Sequence, residues 1–233
     1  MCLKRIAFWH VGSSPTSRTI KDIIMTVYVQ IGAGAGDKDS RVNFRDGFTE
    51  LVKKTDKSTI SRIILVEPNP LNIPSLMECW KDYPQAEIYN IAICGTEHKI
   101  RGICLFYTEK DAPHYQVSSV FPDHIKRIYG ADVDLKKILV GCMNINEFNS
   151  LVLAEDEYVV LYSIDVEGMD SEIIFDLDFS KIFCEYFSFE HLSLGNKQKE
   201  VLAKLRKDGF VFDGYGIDIH GYDWLFRHGS FWR

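Results

Sequence analysis

A near-continuous apolar stretch, Val27-Tyr-Val-Gln-Ile31, runs without a break into Gly32-Ala-Gly-Ala-Gly36. The first half reads as a strand buried on both faces, the pattern of a parallel sheet. The second half lets backbone pass close to a neighbour or a ligand, because no Cβ stands in the way. A helix is expected soon afterwards, so its free N–H groups would point at the same place. A chain that opens this way is confined to a strand, loop and helix unit with a candidate nucleotide-type site at the strand's carboxyl end. Glycine-rich turns also make plain strand-to-helix connections, so the residues that follow decide the ligand.

The alternation continues downstream. Val42–Lys54 carries apolar residues on one helical face, Ile60–Val66 is a β-branched strand, Pro70–Lys81 the next helix and Ala86–Cys94 a third strand. Ile100–Thr108 is expected as an extra strand, paired with its neighbour as a hairpin. Glu109–Lys137 reads as a long loop with one short helix, a candidate lid or acceptor loop. Ile138–Asn144 is another short strand. Tyr158–Ile164 is a strongly apolar strand ending in Asp165-Val-Glu-Gly168. It is followed by a helix over Met169–Leu177, a strand over Ile182–Phe189 and an amphipathic helix over Asn196–Lys207 that stops at Gly209. Phe210–Phe212 and Asp223–Arg227 are closing strands. This order predicts one doubly wound α/β domain over residues 25–233, with parallel strands and right-handed crossovers.

Residues 1–24 stand outside that pattern. Ile6-Ala-Phe-Trp9 is too short for a secretory apolar core. Gly12-Ser-Ser-Pro15 can be encoded by GGT TCG AGT CCC, which reads through the T-arm of a transfer RNA gene, so translation is expected to start at Met25. The nucleotides upstream test this: they must fold into an acceptor stem and T-arm. A formal charge of −6 argues against a broad phosphate-binding surface, and nucleic acid is not expected as a partner. No apolar run approaches the roughly 20 residues needed to cross a bilayer, so no membrane partner is expected. Six scattered cysteines without a C-x-x-C pair suggest reduced thiols and a cytoplasmic location.

Candidate chemistry lies at the strand ends, where open α/β sheets bind ligands. These positions hold Gln30 with the glycines, Glu67, the turn after Ile93, Asp165 with Glu167, and Glu190 with His191. An acidic residue ending the second strand can accept hydrogen bonds from both hydroxyls of a ribose. Glu67 lies 33 positions beyond Gly34, whereas the dinucleotide fingerprint puts its acid roughly 20 residues on. The glycines read G-x-G-x-G, not G-x-G-x-x-G. A ligand with a nucleoside but no phosphates, such as S-adenosylmethionine, needs no pyrophosphate cradle. His98, His114, His124, His220 and His228 show no paired metal spacing, so no dedicated metal site is expected. Carboxylates and a histidine from different strand ends could still hold a divalent ion. Tyr107, Tyr115 and Phe121 are candidates to line an acceptor pocket.

Gln30-Ile-Gly-Ala-Gly-Ala-Gly36, Val66-Glu-Pro-Asn-Pro70, Asn90-Ile-Ala-Ile93, Ser118-Ser119 and Ile164-Asp-Val-Glu-Gly168 follow the order seen in FkbM-type methyltransferases. Phe189-Glu190, Gly209-Phe210 and Asp223-Trp224 suit that family's last third. The chain resembles this family from Met25 onward. The resemblance implies a Rossmann-like class I methyltransferase domain, with a mostly parallel seven-stranded sheet whose last strand is antiparallel. It also implies S-adenosylmethionine-dependent methyl transfer, most often to oxygen on a sugar, glycan or secondary metabolite. By position, Gln30, Gly32, Gly34 and Gly36 would surround the methionine and ribose portions of the cofactor. Glu67, with Pro68 and Asn69, would hold the ribose diol, and Ile91 and Ala92 would lie near the adenine. Ser118 and Ser119 would sit close to cofactor or acceptor, and Asp165 beside the transferring methyl. Asp165 and His191 are the candidate general bases, with Glu167 and Glu190 as orienting partners.

One departure stands out: Gln30 occupies a position where such enzymes commonly carry Asp or Glu. An amide oxygen accepts a hydrogen bond from the cofactor's ammonium without pairing its charge, and Asp37 is the expected compensating carboxylate. Two other functions stay open on sequence alone. One is a non-catalytic module that binds a nucleoside or S-adenosylmethionine; the other is an NAD-dependent oxidoreductase, disfavoured by the spacing to Glu67.

Overall fold

Strands dense in β-branched residues bury both faces only if helices cover each side of the sheet. The structure, a computed structural model, describes residues 26–38, 46–96, 117–217 and 221–231, and the backbone of 103–108. Residues 1–25, including the expected leader and start site, lie outside the described residues, as do 39–45 and 109–116. In chain order the strands are Thr26–Ile31 (β1), Arg62–Val66 (β2), Ala86–Tyr89 (β3), Ala92–Cys94 (β4), Ile103–Thr108 (β5), Leu135–Val140 (β6), Cys142–Asn144 (β7), Tyr158–Ile164 (β8), Phe183–Glu190 (β9), Phe210–Tyr215 (β10) and Asp223–His228 (β11). The α-helices are Gly47–Lys54 (α1), Ile73–Trp80 (α2), Pro122–Tyr129 (α3), Ile145–Val152 (α4), Asp170–Asp176 (α5) and Gln198–Lys207 (α6).

Seven strands form one sheet in the order β10-β11-β9-β8-β1-β2-β3. β1, β2, β3, β8 and β9 pair in parallel, and the last strand, β11, runs antiparallel between β9 and β10. The fold is therefore the mostly parallel seven-stranded α/β sheet with an antiparallel final strand that the resemblance implies. Two apolar clusters sandwich the sheet. One is built on Val27, Val29, Ile31, Tyr162, Ile164, Phe187 and Phe189, the other on Tyr28, Leu51, Val52, Ile63, Leu65, Leu76 and Trp80. Among the described residues no helix is long and apolar enough to cross a membrane.

Three details differ from the sequence reading. Ala86–Cys94 is not one strand: Asn90 interrupts it, its side-chain amide donating to the Glu67 carbonyl at 2.9 Å and the Pro68 carbonyl at 3.0 Å. The continuation, β4, leaves the large sheet and pairs in parallel with β7. Ile138–Asn144 likewise divides into β6, which pairs with β5 as an antiparallel ribbon, and β7. The helix α4 has no counterpart in the sequence reading, although Asn144 caps it by accepting from the Asn146 N–H at 2.9 Å.

Direction reverses between β1 and β8, since β2 and β3 continue to one side and β9 to the other. That makes their carboxyl ends the topological switch point. The register aligns those ends: Ile31 lies opposite both Val66 and Ile164, Ile164 opposite Phe189, and Glu190 opposite Asp223. The residues that follow, Gly32, Glu67, Asp165 and Glu190, therefore emerge in one row along one edge.

Candidate active site

Gly32 begins the site by what it lacks. Its φ is +88°, and a Cβ there would stand 1.7 Å from the Asp165 carbonyl oxygen, so only glycine fits. Behind it the Gly32 and Ala33 N–H groups donate to the Val66 carbonyl, each at 2.9 Å, and the Asp165 N–H donates to the Ile31 carbonyl at 2.9 Å. The loop is thus fastened to the ends of both neighbouring strands. It opens onto a cavity of about 370 Å³. Of the sequence candidates, Gln30, Gly32, Gly34, Gly36, Glu67, Pro68, Ala92, Ser118, Ser119, Asp165, Glu167 and Glu190 line this cavity.

Glu67 is buried and bonded on both oxygens. Oε2 accepts from the Gly34 N–H at 2.8 Å, while Oε1 accepts from the Asn69 N–H at 2.7 Å and the Asn72 amide at 3.1 Å. Loss of water raises its carboxyl to about 7, against which these bonds pull only part of the way. Asn69 is not in the cavity wall; it fixes Glu67 and donates to the Ser118 hydroxyl at 2.9 Å. Ile91 is not in the wall either, while its neighbours Ala92 and Ile93 are.

The Gln30 departure resolves differently from expectation. Asp37 is not in the cavity wall and pairs with Lys53 at 3.3 Å. The carboxylate beside Gln30 is Asp46, the N-cap of α1, which accepts from Gln30 Nε2 at 3.0 Å and from the Thr49 N–H at 2.7 Å. Asp46 also lines the cavity. Burial raises its carboxyl above the ordinary range. Gln30 Oε1, turned the other way by that bond, is buried and has no partner among the described residues.

The acidic turn after β8 is held in a rare conformation. Glu167 has φ +53°, uncommon for a residue with a side chain and typical of functional turns. The Ser119 hydroxyl donates to its carbonyl at 2.7 Å, and His124 Nε2 lies 2.7 Å from its Oε2. Arg127 approaches His124 Nδ1 at 3.3 Å. A guanidinium only donates, so Nδ1 is the acceptor and Nε2 carries the proton given to Glu167. Asp170, at the start of α5, accepts from the Val166 and Gly168 N–H groups, each at 3.2 Å, and burial lifts its carboxyl to about 7. Asp165 opens to the cavity and the residue is exposed, yet loss of water around its carboxyl, then the nearby charges of Glu167, Asp170, Asp223 and Glu190, push it well above the ordinary carboxylate range. Glu190 is raised by burial too, with the Ser193 hydroxyl donating to it at 2.8 Å.

His191 stands apart from this group. Its ring stacks on Trp224 with centroids 4.6 Å apart, its Nδ1 meets the Tyr222 carbonyl, and it is not in the cavity wall. The sequence reading missed Asp46, Ser163, Tyr222 and Asp223 in the wall, and His124 behind it. The helix cap at Asp46 was a usable signal; the His124–Glu167 pairing, across 43 residues, had none. Tyr115 lies outside the described residues, and Phe121 packs its ring 3.5 Å from the position a Cβ on Gly168 would take. Among the described residues no group of three or more His, Cys, Asp or Glu is placed to hold a metal ion.

A family model described as "Methyltransferase FkbM domain" matches residues 30–212. No curated protein matches the sequence. Among solved structures, the chain is similar to the Methanococcus jannaschii fibrillarin pre-rRNA processing protein at 12% identity and TM-score 0.42, covering 91% of this chain and 70% of that one. It is similar to Aeropyrum pernix fibrillarin with natively bound S-adenosyl-L-methionine at 14% identity and TM-score 0.39, covering 89% and 66%. The human methyltransferase 10 domain containing protein is similar at 8% identity and TM-score 0.46, covering 97% and 78%.

Proposed function

The chain belongs to the FkbM methyltransferase family, and on that premise we propose that it methylates a hydroxyl oxygen of a sugar, glycan or secondary metabolite, not a nucleic acid. S-adenosylmethionine is its cofactor. The residues of the cavity fit that group. Glu67 already receives three hydrogen bonds, yet two carboxylate oxygens offer about four acceptor sites, leaving capacity for a ribose hydroxyl. Gln30 Oε1 is a buried acceptor without a partner, and the Asp46 carboxylate stands behind the same amide. Together they suit an ammonium group, with Asp46 supplying the charge that Gln30 lacks.

When bound, the cofactor supplies an electrophilic methyl group on a sulfonium, already activated for displacement. What remains for the protein is alignment and proton removal. Asp165, tied by its backbone to the end of β1, accepts the acceptor hydroxyl's proton; once ionised, its raised proton affinity makes it a stronger base than an exposed carboxylate. Glu167 and Glu190 accept hydrogen bonds from neighbouring hydroxyls and hold the acceptor in line, with His124 fixing the Glu167 carboxylate. His191, stacked on Trp224, takes no part in the transfer.

The observation that carries the choice of acceptor is a wall rich in carboxyls and, among the described residues, free of cations. Asp46, Glu67, Asp165, Glu167, Glu190 and Asp223 line it, and among the described residues no lysine or arginine does. Such a wall gives phosphate-bearing acceptors no counter-charge and suits groups that donate hydrogen bonds. The test is transfer of labelled methyl from S-adenosylmethionine to a panel of sugars, polysaccharides, hydroxylated metabolites and RNA. Label held as an ether on a hydroxylated compound is the expected result. Label on RNA alone overturns the acceptor class, and S-adenosylhomocysteine binding without transfer to any member favours a non-catalytic module.

A further inference from the structure

On the far side of the glycine loop from the cavity lies a cysteine that the transfer reaction does not use. Cys79, in the last turn of α2, is 6% exposed. Its sulfur lies 3.1 Å from the Lys53 ammonium at the end of α1 and accepts from the Asp37 N–H at 3.4 Å. Asp37 Oδ2 holds the same ammonium at 3.3 Å, and the ammonium also stands 5.5 Å over the Trp80 ring. The Lys53 side chain is 27% exposed and gives a small solute a way in. The sulfur fills the space that a side chain on Gly36 would need: a Cβ there would stand 2.8 Å from Cys79 Sγ. The opposite side of Gly36 and its neighbours Gly34 and Ala35 faces the cavity.

We propose that Cys79 and Lys53 form a peroxide-responsive crosslinking site whose closure displaces the glycine loop. The thiolate, the nucleophilic form of a cysteine, attacks one oxygen of hydrogen peroxide; the S–O bond forms and the O–O bond breaks. The departing hydroxide takes a proton from the Lys53 ammonium and leaves as water. This step produces a sulfenic acid and a neutral amine side by side. The amine nitrogen then attacks the sulfur, the N–S bond forms, the S–O bond breaks and a second water leaves. The product is a sulfenamide two hydrogen atoms lighter than the starting pair, with peroxide reduced to water. A thiol reductant reopens it by attacking the sulfur and releasing the amine. Drawing Sγ from 3.1 Å to bonding distance of Nζ, or adding an oxygen to it, breaks the hydrogen bond that the Asp37 N–H gives it directly after Gly36, so the end of the glycine loop loses its anchor. This last consequence rests on the reading of the loop as part of the cofactor site.

The experiment treats the full chain with hydrogen peroxide and follows peptide masses, dimedone labelling and S-adenosylhomocysteine affinity. The expected result is a Lys53–Cys79 crosslinked peptide, with affinity weakened about tenfold, at the modest end of couplings between two sites, and recovered with dithiothreitol. Cys94 and Cys142, on the paired β4 and β7, would also lose two hydrogens as a disulfide, so the linked peptide and not the intact mass decides. Lys53→Met should leave a dimedone-reactive Cys79 and no crosslink, and Cys79→Ser should keep its affinity under peroxide. Cys79 that stays unoxidised in the folded protein, or that oxidises without joining Lys53, overturns the site. A crosslink that leaves affinity unchanged overturns the coupling to the loop. Failure of untreated protein to bind S-adenosylhomocysteine would instead sink the cofactor-site reading, while the crosslink itself is still read by mass.

Discussion

The two ends of the same parallel sheet treat charge in opposite ways. At the amino end Arg62, the first residue of β2, gathers carboxylates around itself. It donates to Glu87 through Nε at 2.6 Å and Nη2 at 2.8 Å, and through Nη1 to Glu157 at 2.8 and 2.9 Å. The guanidinium beside it holds the Glu87 carboxyl below its ordinary value. At the carboxyl end Glu67 and Asp170 are buried, Asp165 and Glu190 stand among neighbouring carboxylates, and all four are pushed up. Paired charge fastens the architecture; crowded and dehydrated charge stores proton affinity that a site can spend. The contrast is open to attack at either end.

The largest expected effect is on Asp165. Asp165→Asn should lower methyl transfer by about 10²–10⁴-fold, the usual worth of a general base. It should leave the melting temperature undiminished, because one of a crowd of like-charged carboxyls has been made neutral. Single-turnover transfer and calorimetry on one preparation measure both. Transfer at the wild-type rate would remove Asp165 from the chemistry, and a large loss of stability would place it among the structural charges of the other end.

The converse holds for Arg62. Arg62→Met strands Glu157, whose side chain is only 6% exposed, and removal of one partner from a buried ion pair costs about 3–5 kcal/mol. Urea denaturation reads that loss, while S-adenosylhomocysteine affinity of the folded fraction should not change. If the variant does not fold, Glu87→Gln, which removes the more exposed partner, should show a loss of about 1 kcal/mol with the same unchanged affinity. A shift in affinity from either variant would mean that the two ends are not separable.

Glu67→Ala sits between these cases. It should weaken S-adenosylhomocysteine binding by about 1.5–3 kcal/mol, the worth of hydrogen bonds to a charged group, in a protein that still folds. Calorimetric titration checks this, and an unchanged affinity would exclude Glu67 from the cofactor site.

Much of the carboxyl end was legible in the sequence because strand ends announce themselves. The apolar run of β1 stops at glycines, β2 stops at Glu67-Pro, and β8 stops at Asp165, so periodicity and breakers alone place these residues on one edge. What stayed hidden depends on contacts between distant segments. Asn90 breaks its strand only because the Glu67 and Pro68 carbonyls are there to receive its amide. Asp46 replaces Asp37 beside Gln30 because the helix cap places its carboxylate against the Gln30 amide while Asp37 is engaged by Lys53. His124 sits on the short helix that the sequence places in the 109–137 segment, but its reach to Glu167, 43 residues on, leaves no local trace. The Arg62 network was equally illegible, since it joins β2 to carboxylates 25 and 95 residues away.

The smallest effect distinguishes stored proton affinity from mere burial, and it comes from the pH response of Glu67. Its carboxyl stands near 7 in the folded protein against an ordinary 4.5, with desolvation as the main cause. Between those values the folded state binds more protons than the unfolded state, so this residue's contribution makes stability fall as pH rises through that window and level off above it. Binding should run the other way. A ribose hydroxyl donates more strongly to the ionised carboxylate than to the protonated acid, so S-adenosylhomocysteine affinity should weaken as pH is lowered from about 8 to about 6, by at most tenfold per unit. Glu67→Gln should abolish that slope in affinity. It should only reduce the slope in stability, because Asp170, also near 7 and outside the cavity wall, keeps its share. Affinity that is flat across that range in the wild type would mean that the Glu67 charge is fixed by its three donors before any ligand arrives. The carboxyl end would then resemble the amino end after all.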